Sequence, residues 1–181
     1  MIRIPKDRIG ALVGKDGSTK NYLENKCFVK VFIDSETGLI KVTSKDDDIT
    51  KVKPFNAISI ITAISRGFSP EKAFRLMDDD VFLEVIDLRN YAGKSKNALD
   101  RIRGRIIGLQ GKSRKLIEEL SGGYLSVYGH TVSIIGTAEE IRSESEAVKL
   151  LASGSIHSTV YKNLQNARTK SKQDRLKLWE D

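Results

Sequence analysis

The chain has 181 residues, enough for one ordinary domain or two small ones. Its 31 Lys and Arg residues outnumber its 24 Asp and Glu residues, and the net charge of +7 favours a polyanionic partner. Cys27 is the single cysteine, which excludes an intramolecular disulfide and a cysteine-ligated zinc site. No stretch approaches the roughly 18 apolar residues of a membrane span, and the opening residues do not resemble a signal peptide. We therefore expect a soluble, cytoplasmic protein with no membrane contact, no cofactor and no metal site.

The first part of the chain predicts one strand, two helices, a hairpin and a third helix. The strand is "MIRIP", and the first two helices flank the glycine loop "GKDG" at 14–17. The segments "FVKVFID" and "LIKVTS" are separated by the turn residues "SETG", and apolar residues alternate along the first of them, so they predict a hairpin. The third helix is expected at about 51–66. Because proline fits only the opening turn of a helix, Pro54 predicts a start later than the preceding acidic run.

The segment "FSPEKAFRLMDDD" predicts a short linker helix. Ser69 is placed as its N-cap and Pro70 at its first position, and the acidic run Asp78–Asp80 ends it.

The second half predicts the same order of elements. A strand at 81–88 precedes a helix, the loop "GLQG" at 108–111 and a further helix that ends at a Gly-Gly pair. The segment "YLSVYGHTVSII" predicts a tight hairpin that turns at Gly129 and His130. A helix at 138–152 and a final polar, basic helix follow.

An internal repeat explains why the two halves match. "LVGKDGSTKNYLE" (12–24) and "IIGLQGKSRKLIE" (106–118) share both glycines, the neighbouring apolar pairs and the closing glutamate, at a constant offset of 94 residues. Such a long interval indicates duplicated domains and not a solenoid. We predict an α+β fold with two β-α-α-β-β-α domains, each a three-stranded antiparallel sheet with helices on one face. The expected boundaries are 1–68, a linker helix at 69–80, 81–155, and a basic C-terminal helix at 156–181.

The net charge is concentrated around the second glycine loop. Residues 94–115 contain eight Lys and Arg residues and one acid, Asp100, which equals the excess of the whole chain. A solvated helix face is the alternative, but this concentration favours a surface that binds phosphates.

A nucleotide-binding P-loop does not fit these glycines. It requires G-x-x-x-x-G-K-S/T so that the backbone wraps the phosphates. The upstream glycine position is Ile106 for the "GKS" at 111–113 and Leu88 for the "GKS" at 93–95. An ATP-dependent enzyme is therefore disfavoured, and we expect no enzymatic activity.

The arrangement helix, G-x-x-G, helix is instead the loop of a KH domain. Glycines allow the sugar-phosphate backbone to approach closely, and the following helix presents free N–H groups and a positive dipole end. Such a loop binds about four nucleotides of single-stranded RNA. Asp16 weakens the first loop as an RNA site, so the second domain, a type I KH domain like the first, is predicted to be the main RNA-binding unit. The predicted RNA-binding residues are Arg101, Arg105, Ile107, Gly108, Leu109, Gln110, Gly111, Lys112, Arg114 and Lys115. The predicted secondary loop, for RNA or protein, comprises Gly14, Lys15, Asp16, Gly17 and Lys20.

The chain resembles the archaeal members of the partner-of-Nob-one family, also called Dim-two-like proteins. The resemblance rests on "RIPKDRIGALVGKDG", "ISRGFSPEKAFRLMDDD", "LEVIDLRNYAGKSKNALDRIRGRIIGLQGKSRKLIEELSG", "LSVYGHTV" and "GSIHSTVYKNL", and it covers nearly the whole chain. It implies a tandem KH protein of small-subunit ribosome maturation, which binds the 3′ end region of the ribosomal RNA precursor and presents it for cleavage. The implied partners are the pre-small ribosomal subunit, the Nob endonuclease, the rRNA dimethyltransferase and the alpha subunit of translation initiation factor two.

Other interpretations stay open at this stage. A KH-type regulator of RNA decay or translation is the main alternative, and the first domain could serve a protein partner. Neither His130 nor His157 has a second His or Cys at metal spacing, so we expect His130 to be an exposed turn residue and His157 to be a cap or packing contact. Trp179 is expected to dock the last helix.

Overall fold

The computed structural model of the chain describes residues 2–45 and 52–177. The chain divides into two compact units between Leu83 and Glu84, within a strand at Phe82–Asp87 that is described below with the second unit. The predicted domain boundaries at 68, 80 and 155 stay predictions. The acidic run before Pro54 and Trp179 lie outside the described residues.

The first unit has the predicted order of elements. These are β1 (Ile2–Arg3), α1 (Lys6–Val13), α2 (Ser18–Cys27), β2 (Val29–Ile33), β3 (Leu39–Ser44), α3 (Pro54–Ser65) and α4 (Pro70–Ala73). The strands form an antiparallel sheet in the order β1-β3-β2. Pro54 is the first residue of α3, so the predicted late start of this helix is confirmed.

The linker helix is shorter than its sequence pattern predicts. Only four residues form α4, and a 3₁₀ turn, Phe74–Met77, continues it. Ser69 precedes the helix with an extended backbone, but its hydroxyl makes no capping hydrogen bond. The proline, which needs no N–H partner at this position, therefore starts the helix without help from the serine side chain.

The second unit repeats the order and adds one short helix. Its elements are β4 (Phe82–Asp87), α5 (Arg89–Ala92), α6 (Lys96–Ile107), α7 (Lys112–Ser121), β5 (Tyr124–Tyr128), β6 (Thr131–Gly136), α8 (Ala138–Ala152) and α9 (His157–Lys177). The sheet order is β4-β6-β5. Tyr128 pairs with Thr131, so Gly129 and His130 form the two-residue turn that the sequence predicts. The helix α5 was not predicted.

Local capping explains where several helices begin and end. The Ser95 hydroxyl accepts a hydrogen bond from the Ala98 N–H at 3.2 Å, so the serine of the "GKS" at 93–95 caps α6. Thr137 and Glu140 form a capping box at the start of α8. Gly122, with φ +93°, ends α7 in the left-handed conformation that favours glycine.

Each unit buries the helix-facing side of its sheet. In the first unit, Val29, Val31 and Ile40 are buried, as are Leu12 and Leu23 of the helices. The second core joins strands β5 and β6 to helices α6, α7, α8 and α9. The two three-stranded antiparallel sheets, their helices and the C-terminal helix confirm the predicted α+β fold.

The glutamate that closes the sequence repeat has the same task in both units. Glu24 Oε1 accepts a hydrogen bond from the Val31 N–H at 2.7 Å, and Glu118 Oε1 accepts one from the Leu125 N–H at 2.9 Å. The carboxylate thereby ties α2 to β2 in the first unit and α7 to β5 in the second. Hydrogen bonds to a charged acceptor are worth about 1.5–3 kcal/mol, which accounts for the glutamate at this position of both copies.

Candidate nucleic-acid interface

The two glycine loops have nearly the same backbone. Gly14 and Gly108 both end the preceding helix, with φ of +74° and +71°. Asp16 and Gln110, two residues further on, have φ of 52° and 51°, in the left-handed region that non-glycine residues seldom adopt. Each loop is a single turn of 3₁₀ helix between two α-helices.

The first glycine of each loop is required by close packing against the next helix. A Cβ atom on Gly108 would lie 2.6 Å from the Cβ and 2.8 Å from the N of Ser113. A Cβ atom on Gly14 would lie 2.8 Å from the N of Thr19 and would also clash with its hydroxyl. In contrast, nothing lies within 4 Å of such an atom on Gly111. The first glycine therefore closes the loop onto the helix, and the second allows the turn.

The second loop is open to solvent and surrounded by cations. Leu109 is 77% exposed at its tip. The predicted site residues Arg101, Gln110, Lys112 and Lys115 are also exposed, whereas Ile107, Gly108, Gly111 and Arg114 are half-buried. Because α7 begins at Lys112, the first N–H groups of that helix lie beside the loop.

The first loop has a different charge. Lys15 and Asp16 are both exposed at its tip, so the charges of these two neighbours cancel. The ammonium group of Lys20 lies 3.9 Å from Glu24, an acid that already accepts a hydrogen bond from the backbone of β2. This loop therefore has the glycine geometry of the second loop without its positive potential.

Five of the predicted residues line one open hollow beside the second loop. They lie there with Gly104, Ser113, His157 and Tyr161, and the predicted five are Arg101, Arg105, Gly108, Leu109 and Lys112. Arg101 and Arg105 lie one helical turn apart in α6 and both line this hollow. Three basic side chains around a hollow favour an anionic ligand.

Arg105 also has a structural task that the sequence did not show. Its Nε donates to the carbonyl oxygen of Leu151 at 3.1 Å, and its Nη2 donates to that of Ser155 at 2.5 Å. These bonds hold α6 against the end of α8 and the turn that follows it. Two of the guanidinium nitrogens of Arg105 therefore already donate to backbone carbonyls. The contact of Arg105 with RNA stays a prediction.

His157 and Tyr161 join the site from the start of α9. The Nε2–H of His157 donates to the carbonyl oxygen of Arg105 at 2.9 Å, which confirms the expected packing contact. Tyr161 lies beside it, with the ring centroids 6.0 Å apart. Sequence reasoning did not place either residue at the loop, because the contact joins positions 52 residues apart and leaves no periodic signal.

Two buried polar atoms beside the loop, Ser113 Oγ and Arg114 Nε, have no hydrogen-bond partner among the described residues. The side chain of Ser113 is buried under Gly108. The Ser113 hydroxyl lies at the lining of the hollow, with Gly108 and Lys112.

Ionisable groups elsewhere are engaged in local structure. Hydrogen bonds from Arg89, partly offset by burial, lower the pKa of Asp87 to about 2. His130 Nε2 is 4.0 Å from this carboxylate, at the hairpin turn and away from the glycine loop. Within residues 2–45 and 52–177, no three His, Cys, Asp or Glu side chains form a metal-binding group. In the same ranges, no helix has the length and hydropathy required to cross a membrane.

Comparisons with known proteins agree with this architecture. A sequence model for the second KH domain of PNO1, described as a eukaryotic type KH domain (type I), matches residues 82–169, and a general KH domain model matches residues 1–54. A KH domain-containing protein of Methanocaldococcus jannaschii is 42% identical over 99% of this chain and 78% of its own length.

Two further relatives connect the chain to ribosomal RNA processing proteins. The pre-rRNA-processing protein PNO1 of Debaryomyces hansenii is 25% identical over 95% of this chain and 68% of its own length. A crystal structure of the complex of a/eIF2alpha, aDim2p and rRNA from Pyrococcus horikoshii is similar with a TM-score of 0.86 and 44% identity, over 93% of each chain. The chain spans about half the length of several of the curated fungal relatives it matches. The family resemblance is thereby confirmed, and the chain belongs to the tandem KH family of PNO1 and archaeal Dim2p.

Proposed function

We propose that this chain binds single-stranded RNA through the loop at 108–111 and acts without catalysis in maturation of the small ribosomal subunit. The observation that carries the proposal is the second loop itself. It has an exposed tip, a first glycine packed on the next helix, and cations on both sides of it. A phosphate at the start of α7 gains from the helix dipole and from Lys112, and bases in a single strand stay free for recognition.

The ribosomal role is supported by the relatives. PNO1 proteins are named for pre-rRNA processing, and the aDim2p structure is a complex with rRNA and a/eIF2alpha. We infer that the RNA is the 3′ end region of the small-subunit precursor and that this chain presents it for cleavage in the cytoplasm. The pre-small ribosomal subunit, the Nob endonuclease, the rRNA dimethyltransferase and the alpha subunit of translation initiation factor two are the proposed partners.

Crosslinking in cells, followed by sequencing of the attached RNA, tests the ribosomal proposal. We expect reads concentrated near the 3′ end of small-subunit ribosomal RNA. The matched control is the double variant Leu109→Asp with Gln110→Asp, which should lose most of these reads while the protein level stays the same. Reads spread over messenger RNA would support a KH-type regulator of decay or translation in its place.

The non-catalytic role is tested separately with purified protein. We expect no ATP or GTP hydrolysis and no RNA cleavage, because neither "GKS" has the upstream glycine of a phosphate loop. Turnover that falls in parallel with the Lys94→Ala or Lys112→Ala substitution would contradict this proposal.

A further inference from the structure

The sheet of the first unit has one apolar, buried face and one face open to solvent. The register pairs Lys30 with Thr43, Phe32 with Lys41, and Arg3 with Leu39. Residues paired directly across an antiparallel sheet share a face. Their neighbours along the strands, such as Val31 and Ile40, are buried on the helix side. The open face therefore carries three cations and two apolar side chains.

Phe32 is the centre of this open face. Its ring is 56% exposed, although a phenylalanine gains about 1.5–3 kcal/mol when it is fully buried. Lys41 lies directly opposite it, and Leu39, itself 40% exposed, lies diagonally across. Phe32 and Leu39 thus form an exposed apolar patch with a polar rim, and contiguous patches of this kind can mark interaction sites.

No negative charge belongs to these three strands. The strands read "IR", "VKVFI" and "LIKVTS", without an Asp or Glu. The hairpin turn beyond these strands contains two acids, Asp34 and Glu36, and the Asp34 carboxylate accepts hydrogen bonds from the Glu36 and Thr37 N–H groups and from the Thr37 hydroxyl. These bonds, led by that from the hydroxyl, lower the pKa of Asp34 and hold it in the turn. Arg3, Lys30 and Lys41 are therefore the charged side chains that the three strands place on this open face.

We propose that this open face is a second binding surface for single-stranded RNA, separate from both glycine loops. An exposed aromatic ring can stack on any base, and the surrounding cations attract the phosphates. A duplex would hide its bases from Phe32, so a single strand fits better. The inference goes beyond the proposed function, which uses only the loop at 108–111. It also gives the first unit a contact with RNA that does not depend on its loop, where Asp16 opposes phosphate.

The first test is the Phe32→Ala substitution in the full chain, with a fluorescein-labelled oligouridylate as the probe. Loss of a stacked base is expected to weaken binding by about fivefold to a hundredfold. The melting temperature should not change, because the side chain is exposed. Phe82→Ala is the matched control, since Phe82 is also strand-borne and 53% exposed but its strand, β4, contains no Lys or Arg. An equal loss in both variants, or none in Phe32→Ala, would overturn the proposal.

The cations give a second readout. For a single strand, removing one cation that neutralises a phosphate lowers the salt dependence of log K by about 0.7. The double variant Lys30→Ala with Lys41→Ala is therefore expected to reduce the slope by about 1.4. An unchanged slope would show that these lysines do not bind phosphates.

A third experiment distinguishes RNA binding by this sheet surface from RNA binding by the loop at 108–111. In the background of Leu109→Asp with Gln110→Asp, the residual binding of the oligouridylate should be abolished by Phe32→Ala. A probe that contains 4-thiouridine should also crosslink to β2 in this background. If the loop variant binds as tightly as the unchanged chain and Phe32→Ala then removes this binding, the proposed function fails and the sheet proposal stands. If the loop variant shows no crosslink to β2, the sheet proposal fails, and a protein partner becomes the occupant of this face.

Discussion

The two glycine loops share a backbone and differ in charge. The φ angles of the first glycines and of the left-handed middle residues agree between the two loops to within a few degrees, and both loops form a short 3₁₀ turn. Yet the tip of one is Lys15 beside Asp16, and that of the other is Leu109 beside Gln110 with Lys112 following. The shared backbone features, which are the first glycine, the left-handed middle residue and the 3₁₀ turn, are those needed to join two helices tightly. RNA binding is decided by the charges placed around that turn, so a G-x-x-G motif alone indicates a fold before it indicates a ligand.

The largest expected effect comes from placing acids in the second loop. The double variant Leu109→Asp with Gln110→Asp puts two negative charges where a phosphate should lie, at about 1–3 kcal/mol per contact, or roughly ten- to hundredfold. The matched change Lys15→Asp in the first loop should have little effect, because Asp16 is already there. Fluorescence anisotropy with single-stranded RNA measures both affinities.

Folding should not be altered by either loop change. Asp16 shows that an aspartate fits the left-handed position that Gln110 occupies, and Leu109 is largely exposed. Thermal melting provides the control. If Lys15→Asp were the more damaging change for RNA, the first domain would be the main RNA-binding unit; if neither mattered, RNA would not use the glycine loops.

The next effect is on stability and should be equal in the two units. Gly14→Ala and Gly108→Ala both force a methyl group against the N-terminal turn of the next helix. The φ and ψ angles of these positions cost a non-glycine residue roughly 1–3 kcal/mol even without that clash. Gly111→Ala has open space around it, so only the backbone cost remains. Denaturant unfolding measures the three decreases in stability. A smaller decrease for Gly108→Ala than for Gly111→Ala would contradict the close packing under the first glycine.

The units also differ in how an arginine holds the end of the helix that follows the hairpin, which is α3 in the first unit and α8 in the second. Arg8 donates to the carbonyl oxygens of Ile64 and Phe68, at 2.9 and 2.5 Å, just as Arg105 does to Leu151 and Ser155. Relative to the first glycine of its loop, Arg8 lies one helical turn earlier than Arg105. The same contact is therefore made from two different positions of the repeat.

Removal of either arginine should destabilise its unit by roughly 1–3 kcal/mol, the value of hydrogen bonds to a charged group. Arg8→Ala is expected to leave RNA affinity unchanged. Arg105→Ala should reduce it by less than the acidic loop variant, since two of its nitrogens already donate to carbonyls. Denaturation and RNA anisotropy on both variants test this. A large drop in RNA affinity without a drop in stability in Arg105→Ala would show that the guanidinium serves mainly RNA.

Sequence patterns predicted most of the fold because the signals are local. Alternation along β2, the glycines that end helices, and Pro54 at the start of α3 each act within a few residues. The repeat located both loops and even the glutamates Glu24 and Glu118. What it did not show is the purpose of those glutamates or the approach of His157 to Arg105. Those contacts depend on how distant segments pack, and no local pattern encodes them.

The smallest effect concerns a position where the two cores differ. Cys27 is fully buried beside Met77 in the first unit, whereas Ser121, at the equivalent position of the second, donates a hydrogen bond to Glu144. Burial raises the pKa of the Cys27 thiol to about 11, against a smaller opposing effect of the positive charge of Lys53. The native thiol should therefore stay protonated at neutral pH and resist alkylation by iodoacetamide.

The same shift predicts a loss of stability at high pH. The unfolded thiol ionises near pH 8.5–9, so between about pH 9 and 11 the unfolded state releases a proton that the folded state keeps. The free energy of unfolding should fall across this interval, and Cys27→Ala should remove that part of the decline. Urea unfolding at a series of pH values, with alkylation rates of native and unfolded protein, measures both effects. Alkylation of the native chain as fast as that of the unfolded chain would mean that water reaches the thiol. In that case the core of the first unit would admit water at Cys27, whereas the core of the second unit is sealed at the equivalent position by the hydrogen bond of Ser121.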